Sequence, residues 1–350
     1  MLTDTPARSP QTYWGRTTLC CRPRGPLCTR LEDCGRVGRL AGAFVRALLL
    51  VRNRSRCRAA VVASSPTGNT FALVQSLLPF GRLPTVMFDC LWYVPKHPLL
   101  RRLKSLQLRL EARSVYRFVV WSKHEVRDYA LAFGIPEDKF VFIPFHTTLI
   151  GYDYSVNPGD YVFAGGNGDR DYATLVRAVR GLEVPVVVAT SDWAAFRGEP
   201  IPPNMTVRPC SHAEFRELMA GAAVVVVPME KGHLHSGGQQ TYLNAMAMGK
   251  PVVVCDPRGT TGYIENGLDG VVLDYGDSEG LRQAIVALVS EPDRAAAIGQ
   301  AARRRIESGP YSTEACMRAV VALAYEAAES AEPCGNAADG GQTGRGRAKR

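Results

Sequence analysis

The chain has 350 residues, of which 46% are hydrophobic and 21% charged, and a formal net charge of +9. That length is long for one core and comfortable for two domains, and the mixed composition excludes a fibrous or wholly disordered chain. The positive balance suits anionic partners such as nucleotide diphosphates or acidic lipid headgroups, and no apolar run reaches membrane-spanning length.

Residues 1–30 are rich in Arg, Pro, Thr and Gly and read as a flexible arm, or, through TTLCC, as a first short strand. The opening MLTDTPARSP has no apolar secretory core, so no export signal is expected. Cys20, Cys21, Cys28 and Cys34 cluster, but with no C-x-x-C pair and no nearby His they do not predict zinc. A reducing cytoplasm is the expected setting. From Arg36 to Val51 the spacing predicts a helix with Leu40, Phe44, Leu48 and Val51 on one side.

Next come a short apolar run AAVVASS, the loop Ser64–Asn69, and a helix in FALVQSLLPF. LPTVMFDC reads as a buried strand with Asp89 at its C-terminal end. A basic helix spans about His97 to Arg113, followed by the strand YRFVVWS, the amphipathic helix KHEVRDYALAF closed by Gly134, and the strand FVFIPF. This alternation predicts a parallel, doubly wound sheet over residues 31–148, with ligands beyond the C-terminal strand ends. That rule singles out Ser65, Asn69 and Asp89. Asp89 reads either as an acid/base residue or as the cap of the segment after it. The helix at 97–113 carries Arg101, Arg102, Lys104, Arg109 and Arg113 among six leucines. It reads as a surface for anionic membrane, or as an ordinary helix with its leucines in the core.

His146–Asp160 breaks the pattern with turn residues and is read as the linker. The cycle then restarts over residues 149–330, before a Gly-, Ala- and Arg-rich tail at 331–350 that reads as disordered. YVFAGG, VPVVVATS, MTVRPC, AVVVVPM, PVVVCD and GVVLDY are the predicted strands. DYATLVRAVRGL, HAEFRELMAGA, Gln239–Met248, two Ala-rich segments over 278–308 and residues 314–328 are the predicted helices.

Two glycine turns stand at strand ends of this second domain. One holds Gly165, Gly166 and Asn167 and leads to Arg170 at a helix start; the other is Gly237–Gly238, again opening a helix. Glycines let the backbone approach a ligand, and helix N-termini attract anions, so a diphosphate is the expected occupant. Arg170 can grip it bidentately, or stand solvated or paired with Asp171. Thr241 and Asn244 share a helix face, and Asn244 reads as a ribose contact or as a satisfied packing residue. His146 lies near the cleft or steadies the linker. No His/Asp/Glu cluster has metal spacing, so no metal is expected.

AMAMGKPVVVCD, GYIENGLDGVVLDYGD, AGGNGDRDYATLVRAV and WSKHEVRDYALAFGIPEDKFVFIPF together resemble the GT-B glycosyltransferases, in particular the retaining group 1, or family 4, enzymes. The resemblance spans roughly Tyr116 to Ala328. It implies two Rossmann-like domains facing a central cleft. It also implies transfer of a sugar from a nucleotide-diphosphate sugar to a saccharide or lipid-linked acceptor in cell-surface or exopolysaccharide synthesis, with no tightly bound cofactor. Gly165, Gly166, Asn167, Arg170, Gly237, Gly238, Gln240, Thr241 and Asn244 would then hold the donor. Asp89, Ser236 and Gln239 would lie at the reacting centre, with Ser65, Asn69 and His146 on the acceptor side. Where that family carries two Glu, this chain has Ser236 and Asn244; Asn244 would partly replace the second with neutral hydrogen bonds, and Gln239, Gln240 or Glu230 would take over from the first, unless the donor differs or activity is weak. A cytoplasmic enzyme, peripheral on the inner face of the plasma membrane, is expected. Nucleic acid is not an expected partner, because aromatic and basic residues do not interleave. The alternatives are a nucleotide-sugar epimerase on the same fold, and a non-catalytic nucleotide-sugar-binding protein.

Overall fold

The computed structural model of the protein describes residues 35–79, 81–150, 156 and 159–331. The arm with its TTLCC strand, the cysteines up to Cys34, the tail from 332 and most of 151–158 in the linker lie outside the described residues. In chain order the first domain comprises α1 (Gly35–Arg52), β1 (Ala60–Ala63), α2 (Pro66–Ser76), β2 (Thr85–Phe88), α3 (Pro98–Glu111), β3 (Val115–Val120), α4 (Lys123–Phe133) and β4 (Phe140–Phe142). Its four strands are parallel and lie in the order β1-β2-β3-β4. Ala72 of α2, Leu108 of α3, and Tyr129 and Phe133 of α4 form one core with Met87, Phe118 and Phe140. The helix α4 starts with a capping box between Ser122 and Glu125, and it ends at Gly134 in the left-handed conformation, the closure that the sequence predicts.

The second domain comprises β5 (Val162–Gly165), α5 (Tyr172–Val179), β6 (Val186–Ala189), β7 (Met205–Arg208), α6 (His212–Ala220), β8 (Val224–Pro228), α7 (Gln239–Ala247), β9 (Val252–Cys255), β10 (Val271–Val272), α8 (Ser278–Ser290) and α9 (Pro292–Ser308). Its six parallel strands run β10-β9-β8-β5-β6-β7. Every residue of β8 and β9 is buried, because helices cover both faces. Residues of α6, α7 and α9 pack on one face, and residues of α5, α8 and the start of α9 on the other. The last helix, α10 (Thr313–Ser330), returns to the first domain. Its Cys316, Met317, Val320 and Ala327 pack with Val86, Val119 and Ile143 on the sheet face opposite α2 to α4. The chain thus crosses between domains twice.

The predicted apolar stripe of α1 behaves differently from an ordinary core stripe. Leu40, Phe44 and Leu48 are exposed, whereas Ala43 and Ala47 are buried. Small side chains let α1 approach α2 closely, and the large ones are left outside that contact.

Candidate functional site

In the second sheet the chain leaves β5, adds β6 and β7 on one side, and then returns to place β8 on the other side of β5. The crevice at such a reversal is where open parallel sheets bind ligands. The loops leaving β5 and β8 meet there: Arg170 bridges to Met229, and the Glu230 N–H donates to the Asp169 carbonyl at 2.9 Å. Both predicted glycine turns therefore lie at one place. Gly166 has φ +115°, and a Cβ there would stand 2.7 Å from Arg170 Nη2. Gly238 has φ +79°, and its Cβ would stand 2.8 Å from Val227 Cγ1. Only glycine allows this backbone path without strain or collision.

Arg170 is buried between these turns. It donates from Nε to the Gly165 carbonyl at 3.1 Å, from Nη1 to the Gly168 carbonyl at 2.8 Å, and from Nη2 to Thr241 Oγ1 at 3.2 Å. Neither Asp171 nor any other carboxylate pairs with it among the described residues. Asp171 instead caps α5, accepting from the Thr174 N–H at 3.1 Å. Burial pulls the Arg170 pKa below its ordinary value. A desolvated cation without a counter-ion, beside the N-terminus of α7, makes this crevice favourable to an anion. Asn167 pins the same loop to the end of β6, its Oδ1 accepting from Thr190 Oγ1 at 2.8 Å and the Ser191 N–H at 2.9 Å.

The two positions where the resemblance expects acidic residues are engaged differently. The Ser236 N–H donates at 2.5 Å to Oε1 of Glu125, across the domain boundary. Glu125 also accepts from the Trp121 and Ser122 N–H groups at 2.8 and 3.1 Å. Three donors favour its ionised form, but burial outweighs them and pushes its pKa up to about 7. The Ser236 hydroxyl is buried without a partner among the described residues. Asn244 Oδ1 accepts from Thr147 Oγ1 at 2.7 Å, the Thr148 N–H at 3.1 Å and Gln240 Nε2 at 3.1 Å, so Asn244 and Gln240 fasten α7 to the linker. The Gln239 amide, oriented to satisfy its neighbours, donates to the Ser236 and Gly237 carbonyls, each at 3.2 Å. Glu230 is drawn away to Arg197, at 2.8 Å.

On the first domain, Ser65 caps α2 by accepting from the Gly68 N–H at 3.3 Å, and Asn69 accepts from Ser64 Oγ at 3.3 Å. Asp89 follows β2 with φ +61° and accepts from Trp121 Nε1 at 3.3 Å. His146 is buried, stacks on Phe145 with centroids 4.8 Å apart, and shares a 3.0 Å hydrogen bond with Thr313 Oγ1. It ties the linker to α10.

The domains are held by further contacts. Tyr263 OH donates to the Trp121 carbonyl at 2.5 Å and accepts from the Phe145 N–H at 2.8 Å. Arg258 pairs with Asp128, and Tyr93 OH reaches Asp169 Oδ2 at 3.4 Å. Sequence reasoning missed Glu125, Tyr93 and Asp169 at this boundary, as well as His233 and His235, which precede the second glycine turn. The two histidines were the findable part, since they stand within five residues of Gly237. Tyr93 and Glu125 lie in the other domain, with no local signal linking them to the site.

A family model described as glycosyl transferases group 1 matches residues 174–291. That segment runs from α5 through the glycine turn, α7 and β9 to the end of α8. The protein carries a group 1 glycosyltransferase segment on a GT-B fold. Among solved structures the chain is similar to sucrose-phosphate synthase of Thermosynechococcus elongatus, with TM-score 0.65, 17% identity, and coverage of 91% of this chain and 82% of that one. It is similar to Anabaena Alr3699/HepE in complex with UDP-glucose, with TM-score 0.59, 15% identity, and coverage of 81% of each chain. It is also similar to S. aureus TarM in complex with Fondaparinux, alpha-GlcNAc-glycerol and UDP, with TM-score 0.62, 12% identity, and coverage of 82% of this chain and 59% of that one. At these identities the likeness is one of fold. No curated protein sequence matches the chain.

Proposed function

We propose that this protein is a glycosyltransferase that moves a sugar from a nucleotide-diphosphate sugar, held in the crevice between β5 and β8, to an acceptor presented by the first domain. The observation that carries this reading is Arg170, a buried guanidinium that no carboxylate pairs with among the described residues, set between two glycine turns and the start of α7. As the bond to the anomeric carbon breaks, negative charge grows on the leaving diphosphate, and preorganised donors stabilise it without reorganisation. Gly166, Gly237, Gly238 and Thr241 would line the diphosphate end. Retention at the anomeric carbon follows from the family resemblance. Glu125 supplies, from the other domain, an acidic group next to Ser236.

The acceptor is proposed to be lipid-linked, at an anionic membrane surface, in cell-surface glycan synthesis. No helix among the described residues is long and apolar enough to cross a membrane. The support lies in α3, where Leu99, Leu100, Leu103 and Leu106 are 58%, 55%, 53% and 49% exposed. They share the helix with Arg101, Arg102, Lys104 and Arg109. Leu108 alone among the leucines of α3 is fully buried, so the helix is not an ordinary core helix.

The direct test is thermal stability with UDP, GDP, ADP and dTDP. A uridine nucleotide is the first to try, because the similar Anabaena structure is a complex with UDP-glucose. Ligand at about 100 times its Kd stabilises by about 2.7 kcal/mol, which reads as a clear rise in Tm. Arg170→Ala, in protein that keeps its circular dichroism spectrum, weakens that nucleotide about tenfold or more. If none of the four nucleotides raises Tm, the donor site is wrong. A non-catalytic binding protein is the second reading, favoured by the engagement of Asn244 with the linker; nucleotide binding without turnover over a panel of acceptors would support it.

A further inference from the structure

We propose that Asp169, His233 and His235 form a binding site for one divalent transition-metal ion at the mouth of the donor crevice. The three side chains come from two loops, one after β5 and one after β8, and each offers an atom within 4.8 Å of the others. His235 Nε2 lies 2.8 Å from Asp169 Oδ2, and His233 Nε2 lies 3.4 Å from Asp169 Oδ1. Ligands on a tetrahedral zinc-like ion stand about 3.3 Å apart, so an ion needs only small side-chain adjustments to replace the proton now shared between His235 and Asp169. Two imidazoles and a carboxylate are the donor set of zinc, cobalt and iron rather than magnesium or calcium.

The surroundings agree with this use. His235 is 4% exposed, His233 27% and Asp169 18%, so the cluster is fixed on one side and reachable on the other. The Tyr93 ring stands over both histidines, with centroids 4.4 Å from His235 and 5.8 Å from His233. The Tyr93 hydroxyl approaches the same carboxylate at 3.4 Å. Glu230, paired with Arg197, brings its Oε2 to 3.5 Å from His233 Nε2 and so steadies that ring from outside the three-residue group. The other nitrogen of His235, Nδ1, is buried with no partner among the described residues, where the ring's hydrogen bond goes to Asp169. A Cβ on Gly237 would stand 3.8 Å from Asp169 Oδ2, so the ion would sit beside the second glycine turn. Its placement against a donor diphosphate rests on the proposed function, where it would add a second positive centre to Arg170.

The experiment uses tag-free full-length protein, stripped with a chelator and titrated with Co2+ and then Zn2+ in the absence of nucleotide. Expected is one Co2+ per chain with a visible d–d absorption band, displaced by Zn2+. Expected too is at least a tenfold loss of affinity in His235→Ala and in Asp169→Asn, each with an unchanged circular dichroism spectrum. Absence of stoichiometric binding, or binding unaltered in both variants and hence located elsewhere, overturns the site. Melting with UDP is then compared with and without Zn2+. Metal binding with no rise in Tm from any of UDP, GDP, ADP and dTDP removes the donor reading and leaves the metal site standing. UDP binding without stoichiometric metal removes the metal site and leaves the donor reading standing.

Discussion

Glu111 has no part in the donor crevice, yet it is fully buried at the end of α3. Gln107 donates to its Oε1 at 2.7 Å, while Oε2 has no partner among the described residues. Burial pushes its pKa up to about 7. The folded chain therefore keeps a proton that the unfolded chain releases from about pH 4.3 upward, and stability falls as pH rises through the window between these values. Glu111→Gln mimics the neutral acid. It is expected to raise Tm at about pH 8, by an increment worth about 1–3 kcal/mol, and to lose that advantage near pH 5. Melting curves of both proteins across this range check it, and an equal offset at every pH would refute the shift. Arg170 shows the opposite management of a buried charge. It keeps its proton and takes carbonyl oxygens as partners, which leaves its positive field available to a ligand.

Periodicity identifies an apolar side of a helix but does not say what meets it. In α3 the residues Leu99, Leu103 and Leu106 fall at helical spacing and face outward, flanked by cations, while Leu108 reaches the core. The same pattern in α1 leaves Leu40 and Phe44 exposed. In each case the packed side was decided by what the neighbouring helix admits. The α3 surface carries its own prediction. The protein is expected to sediment with vesicles containing about a third anionic lipid and to remain free of neutral ones, with binding falling as salt rises. Leu99→Gln with Leu103→Gln should reduce this binding several-fold without lowering Tm, because neither side chain is buried; unchanged sedimentation would remove α3 as the contact.

At the scale of the whole molecule, the chain returns from the second domain to finish the first. Burying Met317 and Val320 against Val86 and Val119 is worth about 1.5–3 kcal/mol for each fully covered side chain. A chain ending at Ser312 is expected to show two calorimetric transitions, the first domain melting well below the second. Neither core of the second domain contains a residue of α10. A single transition at the wild-type temperature would contradict this. The sequence boundary at 148/149 follows the change of pattern along the chain, and no local pattern says on which sheet a terminal amphipathic helix docks.

Strand-helix alternation, the glycines at 237 and 238, the closure of α4 at Gly134 and the motifs of the GT-B resemblance were all legible in the sequence, because each depends on neighbours within a few residues. The sequence also named Arg170 and both glycine turns. It did not reveal that Arg170 is positioned by hydrogen bonds to Gly165, Gly168 and Thr241, that Asn244 holds the linker, or that Glu125 reaches Ser236 over a separation of 111 residues. Nor did it show a metal-spaced cluster, since Asp169 and His235 are 66 residues apart and meet only because β5 and β8 are neighbours at the reversal of the sheet. Local chemistry determined the elements and their ends. Strand order decided which loops share a crevice, and a crevice is a property of the sheet that no stretch of chain possesses alone.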